Sequence, residues 1–154
     1  MIFENLIDFK KNLHKNKRLL GLDVGTKTIG VALSDRDKNI ATPKFIVKRK
    51  SNEKDIQIIS DYILENSVEG IVVGLPLNSE EEETKSSNFV RKFTKTLDEK
   101  IKIPIFFQNE YLTSFEAENF LIDDMSTKFK KTKEIVDKVA AHYILQDVLN
   151  RLNV

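Results

Sequence analysis

The chain contains no cysteine and only two histidines, His14 and His142. Without thiols there is no disulfide framework, no cysteine-based zinc site and no thiol nucleophile, which suits a reducing compartment. Long apolar runs are also missing. None approaches the ~18 residues that a membrane span needs. The N-terminal stretch interleaves Glu4, Asp8, Lys10, Lys11, Lys15, Lys17 and Arg18, which makes a poor secretory signal. A cytoplasmic protein with no membrane partner is therefore expected. Net charge is almost absent as well, with 25 Lys+Arg against 24 Asp+Glu. What remains is ordinary: 154 residues, 40% hydrophobic and 32% charged. That is too apolar for a disordered chain and long enough to bury one core without staples.

The balanced charge hides an asymmetry. Residues 1–54 hold 13 basic and 6 acidic side chains, a net +7, whereas residues 55–154 hold 12 and 18, a net −6. Basic clusters lie at Lys44, Lys48, Arg49, Lys50 and Lys54 and at Lys128, Lys130, Lys131, Lys133 and Lys138. Glutamates run together from Glu80 to Glu83. Such patches permit a nucleic-acid backbone as partner, and equally fit a solvated surface.

No repeat, proline-rich linker or low-complexity tract divides the chain. Ile2, Leu6, Phe9 and Leu13 form one stripe of an amphipathic helix, read as an N-terminal extension over residues 1–17. A single domain over 18–154 follows. Arg18 to Asp23 and Thr28 to Ser34 are apolar runs around a glycine-bearing turn, and Ile40 to Arg49 supplies a third strand. Pro43 inside that third run points to a sheet edge or to a late strand start. The rhythm then changes. Glu53 to Glu65 is helical, Gly70 to Leu75 is a strand buried on both faces, Thr84 to Leu97 is helical, and Lys102 to Phe107 is a further buried strand. Thr113 and Glu116 make a capping box for a short helix, and a last helix runs from about Lys133 to Arg151. The order predicts an α/β fold of ribonuclease H-like type. A three-strand antiparallel meander is joined by two parallel strands, with helices on both faces.

In such sheets ligands bind beyond the carboxyl ends of the parallel strands. Those ends are Asp23, the Leu75-Pro76-Leu77-Asn78 turn, and Asn109-Glu110. Asp23 closes an apolar strand and precedes Gly25, Thr26 and Lys27; Gly25 suits a turn that needs positive φ, and Gly21 permits a neighbour to approach the strand closely. Alone, Asp23 could be a turn aspartate, Glu110 a loop acid and Asp137 a helix-start acid. Together, three converging carboxylates would repel unless a divalent cation lay among them. An oxygen-only donor set favours Mg²⁺ or Mn²⁺ over zinc, and His142 reads as structural. Two carboxylate-held metals about 4 Å apart suit in-line displacement at phosphorus, hence phosphodiester hydrolysis.

The segments Leu19 to Asp35 (LLGLDVGTKTIGVALSD), Val73 to Asn78 (VGLPLN), Asn109 to Ser114 (NEYLTS) and Ile135 to Gln146 (IVDKVAAHYILQ) resemble the YqgF-type family of pre-16S rRNA nucleases, relatives of the Holliday-junction resolvases. The agreement spans residues 18–150. It implies a nuclease that matures the 5′ end of 16S rRNA in a bacterial cytoplasm; a monomer or homodimer is expected. Asp23, Glu110 and Asp137 fall on the acidic positions that the family uses for catalysis and metal binding. Gly25, Thr26, Lys27, Asn78, Lys128, Lys130 and Lys131 are the candidate substrate-binding residues. Two departures stand out. The family's Asp-Glu-Arg is Asn109-Glu110-Tyr111 here, and its small glycine-bearing turn after Pro-Leu-Asn is replaced by Ser79 and the glutamate run.

Three other readings stay open on sequence alone. A junction-resolving DNase would use the same fold, and a non-catalytic nucleic-acid-binding module would be compatible with Asn109 and Tyr111. An actin-like ATPase also carries Asp-x-Gly-Thr after an apolar strand, but closes two domains around its nucleotide where this chain supplies one.

Overall fold

The computed structural model describes residues 1–80, 82–110 and 129–153, excepting the side chains of 129–135 and 137. In chain order the elements are β1 (Ile2–Phe3), α1 (Leu6–Lys11), β2 (Arg18–Val24), β3 (Thr28–Ser34), β4 (Ala41–Lys48) and α2 (Asn52–Glu65). Then come β5 (Val68–Leu75), α3 (Lys85–Ile101), β6 (Ile105–Asn109) and α4 (Phe129–Leu152). The strands form one sheet in the order β1-β6-β5-β2-β3-β4. β2, β3 and β4 are antiparallel neighbours, while β5 lies parallel to β2 and β6 parallel to β5. This is the meander continued by two parallel strands that the sequence predicts.

The sheet divides the core in two because successive strand residues point to opposite faces. Leu20, Leu22 and Val24 of β2 pack with Ile56, Ile59 and Ile63 of α2 and with Val90, Phe93 and Leu97 of α3. On the other face Leu19, Val72 and Phe106 pack under Ala141, Ile144, Leu145, Val148 and Leu149 of α4. The helices start where side chains can satisfy their first amides. Ser51 caps α2 by accepting from the Lys54 amide, and Thr84 and Ser87 form a reciprocal capping box on α3.

The N-terminal stripe differs from its expected form. Ile2 and Phe3 make a short strand paired in parallel with β6, and the helix is confined to Leu6–Lys11. The reason is the unpaired edge that β6 would otherwise present, which the first residues cover. α1 belongs to the body of the fold: Phe9 is fully buried and stacks on Phe106 at 5.5 Å, and Lys10 Nζ donates to the Leu152 carbonyl at the end of α4. At the opposite edge the ladder passes from Val31↔Phe45 to Ala32↔Pro43, leaving Lys44 as an extra residue. Pro43 thus sits at a bulge on an edge strand, where its missing N–H does no harm. α4 begins at Phe129, ahead of the expected Lys133, while the Thr113 capping box lies outside the described residues.

Gly21 and Gly74 let α4 lie close on the sheet. A Cβ on Gly21 would stand 2.7 Å from Leu145 Cβ and 3.0 Å from the Ala141 carbonyl oxygen. His142 behaves structurally, its Nδ1 3.0 Å from the Ala41 carbonyl oxygen of β4. Gly21→Val is expected to cost about 1–3 kcal/mol through overpacking, read as a lower midpoint in urea unfolding. An unchanged midpoint would mean that α4 does not seat on β2.

Candidate active site

Strand alternation decides which way the acids point. Leu19 and Gly21 of β2 face α4, so Asp23, two residues further, faces the same side. Leu22 pairs with Val73, which sets Asp23 beside Gly74 on β5. On the far side of Gly74 runs β6, with Gly74 opposite Gln108 and Leu75 opposite Asn109. The Glu110 amide donates to the Leu75 carbonyl at 3.2 Å, carrying the ladder one residue past the strand. From there the Glu110 side chain folds back over Gly74. A Cβ at position 74 would stand 2.5 Å from Glu110 Oε2 and 2.5 Å from Ile144 Cδ1. Gly74 is therefore the slot in which the carboxylate lies. Sequence reasoning gives it no role, although a glycine near the end of a buried strand signals close approach of another group.

The electrostatics of this slot are unfavourable for two free anions. Glu110 is only 7% exposed, and among the described residues its Oε2 has no hydrogen-bond partner. Burial first, then the charge of Asp23 and a side-chain hydrogen bond to it, push the Glu110 carboxyl well above the usual carboxylate range. The two acids can share a proton, or they can share a cation. A buried carboxylate oxygen left without a donor, beside a second carboxylate, fits a hard divalent ion.

Asp137 lies on α4, four residues before Ala141, whose carbonyl borders Gly21. Its side chain is outside the described set, as are those of Lys130 and Lys131, and Lys128 lies outside the described residues altogether. Asp23 and Glu110 are thus the two predicted acids whose side chains the structure brings together, and no cluster of three ligating side chains occurs among the described residues.

The predicted phosphate-contacting residues divide. Thr26 and Lys27 are exposed on the turn after Asp23. Gly25 donates to the Thr28 carbonyl at 2.9 Å and does not adopt positive φ, contrary to expectation. Its missing Cβ serves proximity, since one would stand 3.0 Å from the Thr28 oxygen. Asn78 turns its side chain to its own loop, where Oδ1 accepts from the amides of Glu80 at 3.0 Å and Glu82 at 2.9 Å. Within the glutamate run, Glu83 is held by Arg91 at 2.5 Å, and Arg91 also reaches Glu4 at 2.7 Å.

The RuvX family model, described as Holliday junction resolvase, matches residues 17–151. The chain belongs to this family. A relative from Roseobacter denitrificans, named "Putative pre-16S rRNA nuclease", is 40% identical over 156 residues, covering 100% of this chain and 95% of that one. A relative of the same name from Caldanaerobacter subterraneus subsp. tengcongensis is 43% identical over 133 residues, 86% of this chain and 96% of that one. The YqgF-type resemblance is thereby borne out. Solved structures agree on the fold. RuvC of T. thermophilus in complex with Holliday junction substrate is 10% identical, with a TM-score of 0.56 over 90% of this chain and 97% of that one. The fowlpox virus resolvase with substrate Holliday junction DNA is 14% identical, with a TM-score of 0.55 over 88% of this chain and 98% of that one. The RuvX chain thus has the ribonuclease H-like mixed sheet.

The raised Glu110 carboxyl has a consequence for stability. A group whose pKa is higher folded than unfolded loses stabilisation as pH rises through the folded value. Glu110→Gln should therefore melt higher than the wild type in metal-free buffer at neutral pH. The advantage should shrink toward zero as pH falls below the ordinary carboxylate range. Thermal melts of both proteins across that range test it, and a constant difference at every pH would contradict the shared-charge account.

Proposed function

We propose that this RuvX-family protein is a divalent-cation-dependent nuclease that hydrolyses phosphodiester bonds at the 5′ end of precursor 16S rRNA in a bacterial cytoplasm. The observation that carries the reading is the buried Glu110 carboxylate lying over Gly74 against Asp23, with Oε2 lacking a donor among the described residues. The names of the relatives supply the substrate, and their full-length match supports carrying it over.

Asp23 and Glu110 would hold the cation, with Asp137 of α4 as a third ligand; oxygen donors suit Mg²⁺ or Mn²⁺. When bound, the ion supplies positive charge where the phosphoryl group becomes more negative and where a water must lose a proton. The chain's own residues do the rest. Asp23 and Glu110 sit on strand ends fixed by the ladder, so their separation is set before substrate arrives. Thr26 and Lys27 stand exposed on the adjoining turn, where a backbone phosphate can meet an amide and an ammonium. Lys128, Lys130 and Lys131 flank the start of α4 and would engage further phosphates. In the reaction the water oxygen bonds to phosphorus, the ester P–O bond opens, and the departing oxygen takes up a proton.

Asp23→Asn, Glu110→Gln and Asp137→Asn should each lower cleavage by about a thousandfold or more, the scale of losing several kcal/mol of charge stabilisation. The assay is labelled precursor rRNA beside a four-way DNA junction, each with Mn²⁺ and with chelator. Equal cutting of RNA in chelator would remove the metal from the mechanism, and cutting of the junction alone would assign a resolvase. Alanine at Lys128, Lys130 and Lys131 together should weaken RNA binding and flatten its salt dependence. On single strands the log–log slope should fall by roughly 0.7 for each phosphate that a lysine no longer neutralises. An unchanged slope would take these lysines off the RNA path.

A further inference from the structure

Arg49 belongs by sequence to a basic cluster read as surface, yet its side chain is only 9% exposed. Its Nε donates to Asp55 Oδ2 at 3.0 Å, and Asp55 is itself 1% exposed. The guanidinium lies over the rings of Phe93, at 4.9 Å, and Phe89, at 5.5 Å. A second guanidinium nitrogen reaches Asn52 Oδ1. The remaining terminal nitrogen, Nη1, donates to the Gly25 carbonyl at 3.2 Å, and the Arg49 main-chain amide donates to the Lys27 carbonyl at 2.9 Å. One residue therefore grips the carbonyls of both Gly25 and Lys27, on either side of Thr26.

We propose that Arg49 is a positioning residue for the phosphate-contacting turn that follows Asp23; the assignment rests on the nuclease reading above. The geometry gives the mechanism. In a trans peptide the C=O and N–H point in opposite directions, and the described residues contain no cis bond. Drawing the Gly25 carbonyl toward Arg49 turns the Thr26 amide away from it, toward whatever the exposed tip meets. The anchor itself cannot drift. Its charge is buried with Asp55, its plane lies against two aromatic rings, and its fork matches three acceptors at once. A hairpin tip with one exposed threonine and one exposed lysine would otherwise sample many orientations, and an amide aimed in advance loses less freedom on binding a phosphate.

Lysine at position 49 keeps a positive charge for Asp55 but lacks the planar fork, so it cannot also hold the Gly25 carbonyl. Arg49→Lys should speed exchange of the Gly25 amide hydrogen at least tenfold, leaving the Leu20 and Leu22 amides unchanged. It should lower kcat/KM for RNA at least tenfold, while the Mn²⁺-induced rise in melting temperature, which reports the Asp23–Glu110 pair, stays as in the wild type. Ile63→Val controls for general destabilisation. It trims a buried core side chain two turns beyond Asp55 on α2 and leaves the Arg49 hydrogen bonds in place, so its melting temperature should fall while kcat/KM stays within about twofold of wild type.

Unchanged Gly25 exchange in Arg49→Lys would overturn the anchoring. Faster exchange with undiminished cleavage, or an equal loss of cleavage in Ile63→Val, would overturn the positioning role. A wild type that cleaves no nucleic acid would instead fail the nuclease reading, and with it the assignment of Arg49 to catalysis. The exchange measurement would still decide whether Arg49 holds the turn.

Discussion

The structure turns on one unfavourable contact: a buried glutamate laid across a glycine and pressed against an aspartate from another strand. Nothing in folding requires it. Glu110 could extend into solvent from the end of β6, where Asn109 already does. Instead its carboxylate lies over Gly74, under Ile144 of α4, beside a second acid. A polar group so placed opposes folding unless something compensates for its lost hydration and for the repulsion. Such strain at the carboxyl end of a parallel sheet is intelligible as preparation for a cation.

The rest of the fold can be understood as what makes that contact possible. Parallel pairing of β2, β5 and β6 brings the ends of three strands, distant in sequence, to one side of the sheet. Alternation then places Asp23, Gly74 and Glu110 on the face that α4 covers. Small residues govern how near α4 may come: Gly21 admits Leu145 and the Ala141 carbonyl, and Gly74 admits both Ile144 and the glutamate. Were either glycine larger, α4 would rise, and the pocket that keeps Glu110 dry would open to water. Packing and chemistry are here one problem.

Much of this is legible in the sequence because it rests on local pattern. Apolar runs mark the strands, Ile56, Ile59 and Ile63 mark α2, and Pro43 marks an edge. Asp23 and Glu110 follow from where strands end. What escapes the sequence depends on segments that meet only in the folded chain. Ile2 and Phe3 have helical spacing with Leu6, but an open β6 edge claims them as a strand. Arg49 looks like a surface base until Asp55, Phe89 and Phe93 surround it. Asn78 looks like a ligand-binding side chain until its loop folds back onto it. Gly74 is visible as a letter, yet its purpose emerges only once Glu110 is seen to lie above it.

The departures from the family pattern are eased by the same alternation. Asn109 pairs with Leu75, whose side chain belongs to the layer beneath α2 and α3, whereas Glu110 turns to the α4 face. The acid replaced by Asn109 therefore belongs on the opposite side of the strand from the buried pair, and its replacement leaves the slot over Gly74 as it was. The glutamate run is also less repulsive than its letters suggest. Arg91 neutralises Glu83, and that guanidinium, stacked over Phe107 at 5.0 Å, ties the run to the sheet and to Glu4. Glu80 and Glu82 remain exposed, held by Asn78 in a folded turn. Among the described residues, an approaching polyanion meets Glu80 and Glu82 at one rim of the site, opposed by Lys27 at the tip after Asp23. On the proposed nuclease reading, a field of that shape would steer a phosphate toward the β2–β3 turn, beside which Asp23 stands.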